Sequence, residues 1–217
     1  MSGAATRIIA IRHGETDWNA TNRIQGQLDI GLNDVGRWQA RRLAAALTDE
    51  ALDALYASDL MRARDTAQAL AERTGLEVRT DEGLRERGFG IFEGLTFAEI
   101  DLRYPELAHR WRQRDASFGP EGGETLALFY KRAVGAVTSL AARHRGQHIA
   151  VVAHGGVLDA LYRAATRLAL DAPRTWQVGN ASINRLLATD AGLTLVGWAD
   201  SLHLEHQVPG KPGELAA

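Results

Sequence analysis

The 217-residue chain has no cysteine. This excludes disulfides, thiolate metal sites and a thiol nucleophile, and it fits a reducing compartment. Neither sign of charge is in excess: 25 basic against 27 acidic residues leave a net charge of −2. Bulk charge therefore gives no reason to expect a nucleic-acid or membrane partner, and any anion binding has to come from local clusters. No apolar run approaches membrane-spanning length, and Met1 to Thr6 has no charged-then-apolar leader pattern. A cytoplasmic location is the default expectation. No internal repeat is evident, and no boundary separates two domains. Apolar content of 45% and charged content of 24% are those of a globular chain long enough to bury a sizeable core.

Chemistry-bearing residues come directly after three apolar stretches. Ile8 to Ile11 is β-branched and too short for a helix, so it reads as a buried strand, and it ends abruptly in Arg12-His13-Gly14-Glu15-Thr16. Open α/β sheets do their chemistry beyond the carboxyl ends of strands. There Arg12 offers a planar fork of donors for phosphate, His13 a nucleophile, base or metal ligand, and Gly14 a sharp turn with close ligand approach. A second strand, from about Leu52 to Tyr56, runs into Ser58-Asp59-Leu60-Met61-Arg62-Ala63-Arg64-Asp65-Thr66-Ala67, with Ser58 expected as helix cap. The clearest buried strand, His148 to Ala153, runs into His154-Gly155-Gly156 and a helix to about Leu168.

The segment Arg12-His13-Gly14-Glu15-Thr16-x-x-Asn19 resembles the signature of the histidine phosphatase superfamily, which holds cofactor-dependent phosphoglycerate mutases and many small phosphatases. The Ser58–Ala67 stretch is similar to that family's second motif, Leu84-x-Glu86-x-x-x-Gly90-x-x-x-Gly94 to its acid segment, and His154 to its second histidine. The resemblance implies an α/β three-layer sandwich with a central, mostly parallel sheet flanked by helices. It also implies catalytic His13, Glu86 and His154, and phosphate binding by Arg12, Arg62, Gly14, Asn19 and Gly155. The loop from Ala20 to Leu32 matches a pocket-lining segment at Gly26, Asp29 and Leu32. Gln25 and Gly26, and Glu124 of the Gly122-Gly123-Glu124 element, are weaker substrate candidates. Glu93 is read as structural.

The remaining chain supplies a scaffold. A helix is predicted from about Asp34 to Leu47, capped by Asn33, with Val35, Trp38, Leu43, Ala46 and Leu47 inward. A short edge strand comes next at Glu77 to Thr80, then a helical stretch from Thr96 to Trp111 broken before Pro105. Another helix spans Thr125 to Arg143, and two late strands, Ile183 to Thr189 and Leu193 to Trp198, flank a turn at Asp190-Ala191-Gly192. One histidine phosphatase domain is expected over 1–206, with 207–217 a flexible tail. Arg103, Arg110, Arg112 and Arg114 around Trp111 read first as a solvated face, and segment 95–125 second as a lid insert. His203 and His206 lack a third ligand nearby, so no metal site is expected.

The expected reaction is metal-independent phosphomonoester hydrolysis through a phosphohistidine on a small phosphorylated metabolite. The alternative is a cofactor-dependent phosphoglycerate mutase, which alone would need a bisphosphoglycerate primer. The compact interval between Glu86 and His154 favours the phosphatase. A non-catalytic phospho-ligand-binding module is a third reading, disfavoured because all five expected residues are present. Oligomeric state is not set by the sequence, and a homodimer through an edge strand is one option.

Overall fold

The computed structural model describes residues 4–205. Six strands form one sheet in the order β3-β2-β4-β1-β5-β6. They are β1 (Thr6–Arg12), β2 (Ala54–Ala57), β3 (Val78–Thr80), β4 (His148–Ala153), β5 (Ile183–Thr189) and β6 (Gly192–Asp200). The pairings β3–β2, β2–β4 and β4–β1 are parallel, while β5 joins β1 antiparallel and folds back on β6 as a hairpin. This is the mostly parallel sheet that the sequence implies.

Side chains alternate across a strand, so each central strand feeds two layers. Ile8 and Ala10 of β1 join Ile149 and Val151 of β4 against α6 (Leu126–Arg143) and α7 (Gly155–Thr166). Ile9, Ile11, Ala150 and Val152 face the other way, onto α2 (Asp34–Ala46) and α3 (Met61–Thr74). Burial on both faces is why β4 reads as an unbroken apolar run rather than an alternating one. A smaller core of Phe92, Ile100, Ala108 and Phe118 sits under α4 (Phe97–Arg103) and α5 (Pro105–Arg112), which part at Tyr104 as Pro105 predicts. A four-residue turn of helix, α1 (Asp17–Ala20), comes just after the first motif.

Two expectations are corrected. The inward stripe of α2 is Gly36, Ala40, Leu43, Ala44 and Leu47, whereas Ala46 is exposed and Val35 and Trp38 only half-buried. The phase is set by Gly36, where an added Cβ would lie 2.0 Å from the Glu15 carbonyl oxygen, so helix and motif loop touch backbone to backbone. Ser58 is not the cap of α3. Leu60 holds that position without a side-chain bond, Ser58 Oγ accepts the Leu60 N–H at 3.3 Å, and Asp29 accepts the Met61 N–H at 2.6 Å from the neighbouring loop. The first turn of α3 is therefore closed by a distant carboxylate that local sequence does not reveal. His206 and the predicted tail at 207–217 lie outside the described residues.

Candidate active site

The carboxyl ends of β1, β2 and β4 lie side by side, because β1 pairs with β4 and β4 with β2. The segments leaving these three strand ends therefore converge on one cavity of about 560 Å³, lined among others by Arg12, His13, Arg62, Glu86 and Gly155. The rings of His13 and His154 stand 5.2 Å apart, centroid to centroid. His13 is 3% exposed and His154 is fully buried.

Each group is held by an identifiable contact. His13 Nδ1 lies 2.7 Å from the Gly14 carbonyl oxygen. A carbonyl only accepts, so Nδ1 carries the proton and Nε2 keeps its lone pair. Arg62 is 1% exposed and donates from its two terminal nitrogens to Leu28 O and Gly26 O, at 2.8 Å each. Arg12 donates to Val178 O at 2.6 Å. The Nε atoms of both arginines and both ring nitrogens of His154 are buried without a partner among the described residues. Unpaired buried polar groups are costly, and those of Arg12 and Arg62, which line the cavity, mark where a polar ligand belongs. The buried His154 ring lies beside His13 without being on the cavity wall itself. Glu86 accepts the Gly156 N–H at 3.0 Å, at the first turn of α7. Position 156 must be glycine for this, since a Cβ there would come within 2.2 Å of the Glu86 carboxylate.

Electrostatics reflect this crowding. Burial, then the charges of Arg62 and Arg12, push the His13 pKa well below 6.5. His154 is shifted the same way, by burial first and then Arg62. Both imidazoles are neutral at physiological pH. Burial also lowers Arg12 to about 10, with Arg174 and Arg62 adding to the effect, yet it stays a cation.

Of the weaker sequence candidates, Asn19, Gln25 and Gly26 line the cavity. Asn19 also closes a capping box with Thr16 and accepts from Asn180 at 3.2 Å. Two candidates are placed elsewhere. The Gly14 N–H donates to Thr66 Oγ1 at 3.0 Å, so it is already spent on the protein. Glu124 is not on the cavity wall. Its carboxylate receives Arg132 Nε at 2.8 Å and the Gly88 N–H at 2.9 Å, bracing the segment that carries Glu86. Glu93, read as structural, accepts the N–H groups of Gln27 and Phe89 and ties the two pocket loops together.

Sequence reasoning misses several participants. Thr66, inside a quoted motif, joins Gly14 to the Arg62 carbonyl. Asn180 donates to the His13 carbonyl at 3.0 Å, and the Ala181 N–H to that of Arg12 at 3.0 Å. Arg114 and Arg174 line the outer cavity. Of the arginines around Trp111 only Arg114 does so, while Arg110 pairs with Asp115 and Arg112 with Asp101 on the surface.

The family model described as Histidine phosphatase superfamily (branch 1) matches residues 8–201. The chain belongs to the histidine phosphatase superfamily. Among curated members it is 42% identical over 204 residues to phosphoglycerate mutase-like protein 4 of Arabidopsis thaliana, covering 91% of this chain and 86% of that one. It is 38% identical over 208 residues to a metal-independent phosphoserine phosphatase of the same plant, covering 94% and 85%. Among solved members, a mycobacterial glucosyl-3-phosphoglycerate phosphatase in complex with VO3 superposes with a TM-score of 0.80 at 38% identity, over 90% of this chain and 99% of that one. The superfamily resemblance, the fold and the enzyme class expected from the sequence all stand.

Proposed function

We propose that the chain is a metal-independent phosphomonoesterase acting on a small phosphorylated metabolite, with His13 as nucleophile. The observation that supports this most is the Gly14 carbonyl on His13 Nδ1, which leaves Nε2 unprotonated on a ring that lines the arginine-flanked cavity. Nε2 attacks phosphorus in line. The N–P bond forms as the P–O bond to the alcohol breaks, and Glu86 gives its proton to the departing oxygen. Water then attacks the phosphohistidine, Glu86 takes up a proton from it, and the N–P bond breaks to release phosphate. Arg12, Arg62 and His154 hold the equatorial oxygens, the charge-spreading role that divalent ions have elsewhere. Arabidopsis and mycobacterial relatives named as phosphatases, one of them as metal-independent, support hydrolysis over mutase chemistry.

Brief reaction with p-nitrophenyl phosphate in metal-free buffer, quenched in alkali, should trap an acid-labile phosphohistidine in the wild type. His13→Ala should lose the adduct and at least about a thousandfold in kcat while keeping its folded spectrum. Near-normal turnover in that variant would remove His13 from the role. Glu86→Gln should slow an alkyl phosphate far more than p-nitrophenyl phosphate, whose leaving group needs little protonation. Equal losses would speak against Glu86 as the acid. Interconversion of 2- and 3-phosphoglycerate with a bisphosphoglycerate primer, faster than release of phosphate, would establish the mutase instead.

A further inference from the structure

The chain reaches Glu86 through a segment with little regular structure of its own. A short 3₁₀ turn, Glu82–Leu84, opens into extended chain at Arg85. The last carbonyls of such a turn have no partner inside it. Here they are collected by one side chain, Arg132 of α6. Its Nη1 donates to Gly83 O at 3.0 Å and to Arg85 O at 2.9 Å, and its Nη2 to Glu86 O at 3.1 Å. The remaining bonds go to the Glu124 carboxylate, from Nε at 2.8 Å and from Nη2 at 2.6 Å. A guanidinium group has five N–H donors, and Arg132 spends all of them on the protein. Arg12 and Arg62, by contrast, keep a buried Nε unpaired and line the cavity, which Arg132 does not.

The grip is on both sides of Glu86. Glu124 also accepts the Gly88 N–H at 2.9 Å, so Arg132 and Glu124 together hold the main chain before and after the carboxyl-bearing residue. At Gly83 an added Cβ would lie 2.7 Å from Ala136 Cβ, one turn further along α6, so the segment lies flat on that helix. Leu84 is fully buried in the same core as Ala133 and Val137, which sets its depth. Gln27 Nε2 adds a second bond to Glu86 O at 3.1 Å. The Glu86 carboxyl group itself is bonded by main-chain donors alone among the described residues, the N–H groups of Arg87 at 2.8 Å and Gly156 at 3.0 Å. Where that group stands is therefore decided by where its main chain is held.

Resting on the reading of Glu86 as proton donor, we infer that Arg132, clamped by Glu124 and bonded to the carbonyls of Gly83, Arg85 and Glu86, is a positioning residue for proton transfer to the departing alcohol. It acts through Glu86 and touches neither the phosphoryl group nor the alcohol. Proton transfer needs the carboxyl group within hydrogen-bond reach of the leaving oxygen, and misplacement by about 1 Å costs up to about a hundredfold. That cost falls on esters whose alcohol is a poor leaving group. Lysine is no substitute, because three donors on one nitrogen cannot span three carbonyls and a carboxylate.

The test compares glycerol 3-phosphate with p-nitrophenyl phosphate in the wild type, Arg132→Gln, Glu86→Gln and the double variant. In Arg132→Gln, kcat on the alkyl ester should fall about tenfold to a hundredfold more than on the aryl ester, with KM for both little changed. Arg132→Lys, which keeps the charge and the helix, should show a smaller bias of the same kind, and it carries the comparison if Arg132→Gln does not fold. On top of Glu86→Gln the Arg132 substitution should add no further selective loss, because the group it positions is already gone. Equal losses on the two esters, no loss at all, or a selective loss undiminished in the double variant would overturn the role of Arg132 and leave Glu86 as the acid. A Glu86→Gln variant without leaving-group bias would instead overturn the acid reading, and the positioning role with it.

Discussion

His13 and His154 are neutral for the same reason: burial disfavours the charged imidazolium, and the charges of Arg62 and Arg12 repel it. Both folded-state pKa values lie well below the 6.5 of an unfolded histidine. Above that pH both rings are neutral folded or unfolded, and they contribute nothing to pH dependence. As pH falls through 6.5, the unfolded chain takes up protons that the native state refuses, so stability declines. Urea midpoints should drop from roughly pH 7 to roughly pH 5, and His154→Gln should lessen the drop. Over the same range kcat/KM on p-nitrophenyl phosphate, which reports the free enzyme, should show no loss centred on 6.5. A titration in kcat/KM at that value would mean that the histidine proposed as nucleophile is an ordinary, solvated one.

At the scale of elements, the site is a set of strand ends clamped by helices, and glycine sets the clearances. Gly36 of α2 lies against the Glu15 backbone, while Asn33 donates to the Glu15 carboxylate at 3.0 Å and Gln39 accepts the Glu15 N–H at 2.8 Å. Helix and motif loop therefore move as one piece. Gly36→Ala should cost about 1–3 kcal/mol through overpacking and should also lower kcat, because relief of the clash displaces residues next to His13. Thermal melts together with p-nitrophenyl phosphate assays would check both. An undiminished kcat with a lowered Tm would separate loop position from catalysis. Elements such as β4 and β5 are legible from apolar runs and turn residues, and β5 begins and ends where its pattern does. The facing of α2 is legible only in part, since Leu43 and Leu47 are buried as expected but Val35, Trp38 and Ala46 are not. Trp38 and Val35 are conspicuous apolar side chains, yet the first half of the buried stripe is Gly36 and Ala40, small residues that let the helix approach its neighbours closely. The cap of α3 is likewise hidden, since its partner Asp29 is 32 positions away in sequence.

For the whole molecule, charge is distributed against its sum. A chain of net charge −2 concentrates Arg12, Arg62, Arg114 and Arg174 around one opening, with Glu86 and Asp159 among them. Such focusing attracts anionic substrates and is screened by salt. With p-nitrophenyl phosphate as substrate, kcat/KM should fall several-fold between about 0.01 M and about 0.15 M salt, through KM rather than kcat. A flat salt response would mean that the cations act only at contact. The groups proposed to touch phosphorus are readable because each stands in a motif, most of them beside a strand end. Arg114 and Arg174 are not. They come from loops whose role is visible only when β1, α7 and the chain before β5 are brought together.

The contacts around β1 also bear on the order in which the chain is made. The Arg12 side chain donates to Val178 O, and the Arg12 and His13 carbonyls accept from Ala181 and Asn180. The clasp on the reactive end of β1 lies more than 160 residues further along the chain. A chain halted after α7 would carry the full complement of proposed phosphate-handling side chains and still lack the contacts that anchor Arg12 and His13. The proposed phosphate-handling groups can therefore all be present in a chain and still be unheld until the loop before β5 has closed on β1.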